Sequence, residues 1–203
     1  CFAEDAKGRL VIGTNGGGLN QLDRETGAFA RYQHDPEDPG SLSHNNLSVI
    51  HEDQKGTLWI GTWGGGISRL DHGSGQFVRY QNDPEDPRSL SDNNVLAILE
   101  GREGDLWFGT GGGLSRLDLA SGQFMRYTTQ QGLSSNMVAG VLQDDILPDQ
   151  GGPNLWLSTY DGISRFNLTT ETSRIYDASD GLHSETFSVS SYHKGRSGEL
   201  FFG

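Results

Sequence analysis

A chain of 203 residues with 33% hydrophobic and 21% charged content is long enough to bury a core and too polar to span a membrane. Fifteen Lys and Arg against 27 Asp and Glu leave a formal charge of −12, which repels polyphosphate backbones and anionic lipid heads and excludes nucleic acid as a partner. Thirty glycines against six prolines, with four Trp, nine Phe and six Tyr, ask for short strands and tight turns, an all-β chain.

In chain order, one unit recurs. "GRLVIGTNGGGLNQLDRETGAFARY" from Gly8 is followed by "GTLWIGTWGGGISRLDHGSGQFVRY" from Gly56 and "GDLWFGTGGGLSRLDLASGQFMRY" from Gly104. "PNLWLSTYDGISRFNLTTETSRIY" from Pro153 is a diverged copy, and "GELFFG" from Gly198 begins a fifth. The glycine before the Thr falls at Gly13, Gly61 and Gly109, is replaced by Ser158 and returns at Gly203, giving intervals of 48, 48, 49 and 45 residues. Each unit reads as four strands: an apolar lead such as "NVLAILE" (Asn94 to Glu100), then the "LWIGT", "GISRLD" and "FVRY" types, joined by turn chemistry. Four-stranded units of this length predict β-propeller blades, about four and a half of them, over segments 1–32, 45–80, 93–127, 136–176 and 185–203. Leu58, Ile60, Leu106, Phe108, Leu155 and Leu157 are expected to pack against neighbouring blades. Trp59, Trp107 and Trp156, with Val11 in the first copy, lie on the alternate face and are expected in the core.

Gly64 to Gly66, like Gly16 to Gly18 and Gly111 to Gly113, stand between two strands. A phosphate cradle needs a helix N-terminus after the glycines, and "ISRLD" is a strand, so they read as hairpin turns. The residue before the run does not repeat: Asn15, then Trp63, then a one-residue deletion in the third copy, then Tyr160 with Asp161 beside it. Up-and-down topology places that turn and the start of the next first strand on one face of the disc. Asn45, Asn46, Asn93, Asn94, Asn136, His183 and Glu185 are therefore expected to ring the axis beside Asn15, Trp63, Tyr160 and Asp161, an arrangement suited to a polyhydroxylated ligand such as an oligosaccharide. Loop positions that drift freely would leave the same pattern.

The linkers "HDPEDPGSLSHNN" and "NDPEDPRSLSDNN" are acidic but lack the alternating oxygen ligands and closing Glu of a calcium loop, so solvated acids shaped by Pro, Ser and Asn are expected. No metal or cofactor is expected: the histidines, His72 included, show no paired spacing, and Cys1 is the one cysteine. A lipid on Cys1 and a glycan at Asn167-Leu168-Thr169 are weaker readings. No leader or apolar anchor segment is seen, and no catalytic elbow or triad stands out.

"ILEGREGDLWFGTGGGLSRLD" (Ile98 to Asp118) and its copies resemble the two-component regulator propeller repeat, and "DGLHSETFSVSSYHKGRSGELFFG" (Asp180 to Gly203) is similar to the last blade of such propellers, with Glu185 in place of the usual Asn. The resemblance implies a periplasmic sensor segment of a bacterial hybrid histidine kinase or diguanylate-cyclase receptor. It also implies further blades and a downstream three-tyrosine domain as partners, and oligosaccharides as the common ligand class. The chain reads as a piece of a longer receptor whose bare blade faces favour self-association, including a homodimer. Non-catalytic sensing is the leading function. A propeller lyase, for which His183 with Glu185 is the only hint, and an interaction scaffold are the alternatives.

Overall fold

The computed structural model describes residues 1–71, 73–145 and 152–203. The first unit forms β1 (Phe2–Glu4), β2 (Leu10–Gly13), β3 (Leu19–Leu22) and β4 (Phe29–Tyr32). The second forms β5 (Leu47–Glu52), β6 (Leu58–Thr62), β7 (Ile67–Leu70) and β8 (Phe77–Tyr80). The third contains β9 (Val95–Glu100), β10 (Leu106–Thr110), β11 (Gly113–Asp118) and β12 (Gln123–Tyr127), and the fourth β13 (Val138–Gln143), β14 (Asn154–Thr159), β15 (Ile163–Asn167) and β16 (Thr172–Tyr176). Each is a four-stranded antiparallel meander in chain order, and β17 (Tyr192–Lys194) pairs with β18 (Leu200–Phe202). The predicted all-β blades are present. The first strands β1, β5, β9, β13 and β17 pack in succession against one another and form the inner ring.

Both faces of a blade are buried because each seam uses opposite faces of its two sheets. Val11 and Leu19 meet Leu58, Ile60, Leu70 and Phe77 of the next blade. Trp59 and Ile67 meet Leu106, Phe108, Leu117 and Phe124. Trp107, Leu114 and Tyr127 meet Leu155, Leu157 and Phe166. Val11, Trp59 and Trp107 are core, as the alternation predicts, Trp59 and Trp107 being 1% exposed, whereas Trp156 of the fourth blade is only partly buried and lies outside the core clusters. Leu42, Leu90 and Leu133 from the linkers plug the seams.

The indoles of this series are satisfied by acids at the turn between the first and second strands. Trp59 Nε1 donates to Asp53 Oδ2 (2.9 Å), Trp156 to Asp144 Oδ2 (3.1 Å) and Trp107 to Asp105. Burial alone would raise the Asp53 carboxyl, but the Trp59 indole and the backbone N–H groups of Thr57 and Lys55 outweigh it and hold the group below its ordinary value. Asp5 is lowered in the same way, burial being outweighed by Arg9 and the Lys7 N–H. His51 is lowered by burial, against the pull of Glu100, whose Oε2 lies 3.8 Å from its Nε2. All three shifts act in one direction: the unfolded chain binds more protons on the acid side, so stability falls as pH falls. The His51 share is present above about pH 6.5 and is lost below it, and the Asp5 and Asp53 share is lost below about pH 4. Denaturation midpoints between pH 8 and 3 should decline in these two steps, and His51→Leu should flatten only the first.

At the inner ring, a side chain on the second strand would collide with the first strands. A Cβ on Gly61 would stand 2.6 Å from Val49 Cγ1 and 2.8 Å from Val95 Cγ1. The fourth blade places Ser158 at this position and compensates on its partner strand. Gly140 pairs with Ser158 where Val49 pairs with Gly61 and Ala97 with Gly109. Tyr192 of β17 fills the remaining space, 2.5 Å from where a Gly140 Cβ would be, and burial pushes its phenol up to about 12.

The acidic linkers are held by arginines of the following blade's last strand. Arg126 donates to Ser89 O (2.7 Å), Asp86 O (2.8 Å) and Ser89 Oγ, and Arg79 does the same to Ser41 O (2.9 Å), Asp38 O (2.7 Å) and Ser41 Oγ (2.7 Å). The carboxylates of Asp35, Asp38, Asp83 and Asp86 accept backbone N–H groups two residues on, so they shape turns. Arg126→Ala should destabilise the chain by about 2 kcal/mol, since charge-assisted bonds to partly buried carbonyls are lost. Arg126→Lys should recover less than half of that, because a point charge cannot span three acceptors. Urea unfolding midpoints read both.

Candidate functional site

The turn between the second and third strands of each blade meets the start of the next blade's first strand. Gly16 and Gly18 N–H donate to Asn45 O (both 3.1 Å), Gly64 and Gly66 N–H to Asn93 O (3.1 and 2.8 Å), and Gly162 N–H to Glu185 O (2.6 Å). Leu47 N–H donates to Thr14 O (3.0 Å), Phe187 N–H to Thr159 O (3.2 Å), and Asn15 bridges Asn46. The predicted neighbours are thus on one face of the arc, around the ends of the inner strands. Under them, hydroxyl triads such as Ser91–Thr110–Ser115 and Ser134–Thr159–Ser164 tie linker to blade, with contacts of 2.7 to 3.0 Å.

Within this frame the side chains divide. Asn93 Oδ1 accepts the Asn82 N–H (2.8 Å), Asn45 Oδ1 the His34 N–H (2.7 Å), Asn136 Oδ1 the Thr129 N–H (2.8 Å) and Glu185 Oε1 the Ala178 N–H (3.1 Å). These four equivalent residues close their linkers, so one side-chain oxygen of each is engaged within the fold. Asn94 is held by Asp92, whose Oδ1 accepts from its N–H and from Nδ2 (2.9 Å). The Asn46 N–H donates to His44 Nδ1 (3.1 Å). Asn15, Asp161 and His183 are exposed. Trp63 and Tyr160 are 42% and 43% exposed, unlike the buried aromatics of the seams.

The third blade corrects the alignment of this position. Gly111 N–H donates to Asn94 O (3.0 Å) as Trp63 N–H donates to Asn46 O (2.9 Å). The deletion therefore lies within the glycines, and Gly111 occupies the Trp63 position, leaving an opening on the rim between Trp63 and Tyr160. His72 lies outside the described residues. Among the described residues, no group of three or more His, Cys, Asp or Glu is placed to hold a metal ion. A cleft of about 680 Å³ is lined by Glu103, Asp105, Asp118 and Met125 at the opposite ends of the strands.

A profile described as "Two component regulator propeller" matches residues 41–64 and 89–112, each spanning a linker end, a first and second strand and the turn of the variable position. The two matched segments carry the two-component regulator propeller repeat. No curated protein matches the chain. Among solved structures, the extracellular domain of a hybrid two-component system from B. thetaiotaomicron is 29% identical over 96% of this chain and 24% of its own, with a TM-score of 0.74. The extracellular domain of a one-component system from the same organism is 25% identical over 100% of this chain and 28% of its own, with a TM-score of 0.80. The chain spans about a quarter of the length of these structures. The repeated turns supply a fixed backbone frame, and the side chain before the glycines is what varies on it.

Proposed function

We propose that this chain is a non-catalytic, ligand-sensing and signal-relay segment of a two-component-type receptor, exposed outside the cytoplasmic membrane, in the periplasm, and that it takes a neutral oligosaccharide on the face carrying Asn15, Trp63, Tyr160 and Asp161. The observation that carries the reading is the contrast between a turn whose backbone bonds repeat from blade to blade and one position on it that holds Asn, Trp, Gly and Tyr in turn. Exposed aromatic faces stack on the apolar faces of sugar rings, and amides and a carboxylate bond their hydroxyls. The extracellular domains it resembles belong to signalling systems of the same kind, which supports the placement outside the cytoplasm. Calorimetric titration with a panel of neutral oligosaccharides tests it. One of them should bind, with Trp63→Ala and Tyr160→Ala each weakening binding about tenfold or more, about 1.4 kcal/mol, and with the sugar recovered unchanged. Failure of the whole panel, or binding indifferent to both substitutions, contradicts the site; turnover of the bound sugar contradicts the non-catalytic reading.

A further inference from the structure

The fourth blade departs from the others on its outer strands. In the second and third blades the arginine before the final Tyr, Arg79 or Arg126, points to the linker it clamps. In the fourth that position is Ile175, 44% exposed, and the arginine has moved one residue to Arg174. A shift of one residue along a strand turns a side chain to the other face of the sheet. There Arg174 pairs directly across the strands with Arg165, where the other blades pair Gln21 with Ala30, Arg69 with Val78 and Arg116 with Met125. Like charges directly opposite destabilise a sheet, and the chain is otherwise strongly acidic.

The two guanidinium groups line a pocket of about 240 Å³ with Asn154, Thr170, Thr172 and Ser173, and its described lining holds no carboxylate. Arg165 Nε is buried without a hydrogen-bond partner. Arg165 lies over Trp156 (5.6 Å) and Arg174 over Tyr176 (4.5 Å), and these two rings stack at 5.4 Å, which fixes both forks from behind. The acid paired with Arg174 is Asp180, at 3.4 Å, and that arginine is 64% exposed.

We propose that Arg165 and Arg174 form a binding site for a carboxylate or sulfate group of a small ligand, on the outer part of the fourth blade and separate from the face described above. Two cationic forks beside an unfilled N–H match the charge and donor geometry of an oxyanion. The test is calorimetry at low ionic strength with sodium sulfate and sodium glucuronate, against matched chloride. Saturable binding of at least one probe is expected, weakened tenfold or more by Arg165→Gln and by Arg174→Gln but not by Arg31→Gln, an exposed arginine of the first blade. Sulfate alone would point to a sulfate ester or free anion, glucuronate to a uronic acid, and either supports the site. Without ligand, Arg174→Gln should unfold at the same or a higher temperature, because the like-charge pair is relieved. Neither probe binding, equal loss in Arg31→Gln, or unchanged binding in Arg174→Gln would overturn the proposal. Should Arg165→Gln fail to fold, the edge-strand variant Arg174→Gln decides alone.

Discussion

Trp107→Ala should lower the unfolding free energy by about 3–5 kcal/mol, the range for truncating a buried Trp or Phe. The indole is 1% exposed at the seam between the third and fourth blades, with ring centroids 5.8 Å from Tyr127 and 6.2 Å from Phe166. Arg116 lies over it at 5.3 Å, and its Nε1 donates to Asp105. Truncation opens a cavity, takes the indole donor from Asp105, which keeps its pair with Arg116 at 3.4 Å, and removes the surface under that arginine. Because each blade is buried only by its neighbours, the loss should fall on the docking of the fourth blade, with faster hydrogen exchange in β13 to β15 than in β2 and β3. Trp107→Phe keeps most of the packing and should cost well under half as much. Trp63→Ala, at an exposed position, should cost under about 1 kcal/mol. Equal effects at Trp107 and Trp63 would contradict the division between seam aromatics and rim aromatics.

Gly66→Ala should destabilise by about 2–4 kcal/mol, through left-handed strain and overpacking together. Gly66 has φ of 75°, and a Cβ there would stand 2.3 Å from Tyr80 O, a backbone atom that cannot move aside. Its N–H also donates to Asn93 O, so a shift of the turn would be felt at the start of the next blade. Gly75, with φ of 72° and open space around its Cβ position, separates the two contributions. Gly75→Ala should cost only the strain, about 1 kcal/mol. Denaturant midpoints for the pair give the difference directly.

Much of this fold is legible in the residues because the repeat states it three times over. The spacing of Gly13, Gly61 and Gly109 marks the blades, and the alternation around Leu58, Trp59 and Ile60 marks strands with two buried faces. The rim followed from topology: a meander has to bring the Gly64–Gly66 turn beside Asn93. The clamp of linker to blade was not legible, since nothing local links Arg126 to Ser89 or Arg79 to Ser41, and a charged residue in an outer strand reads as solvated. The exchange of Gly140 for Ser158, completed by Tyr192, needs three strands in register before it has a meaning. Asn136 and Glu185 read as free polar groups on the axis, whereas the shape of their linkers engages one oxygen of each. The Gly111 position was misassigned because a run of identical residues cannot say which member is missing; only its bond to Asn94 O decides. The arginine displaced to Arg174 carries a signal that a blade-by-blade alignment of the last strands would expose.

The claim that the variable rim is the sensing surface is tested most directly by hydrogen exchange on the chain with and without a bound neutral oligosaccharide. Protection should concentrate in the turns at residues 15–18, 63–66 and 160–162 and in the strand starts at 45–46 and 93–94. Protection confined to the opposite strand ends around Glu103 and Asp118, with the rim unchanged, would contradict it.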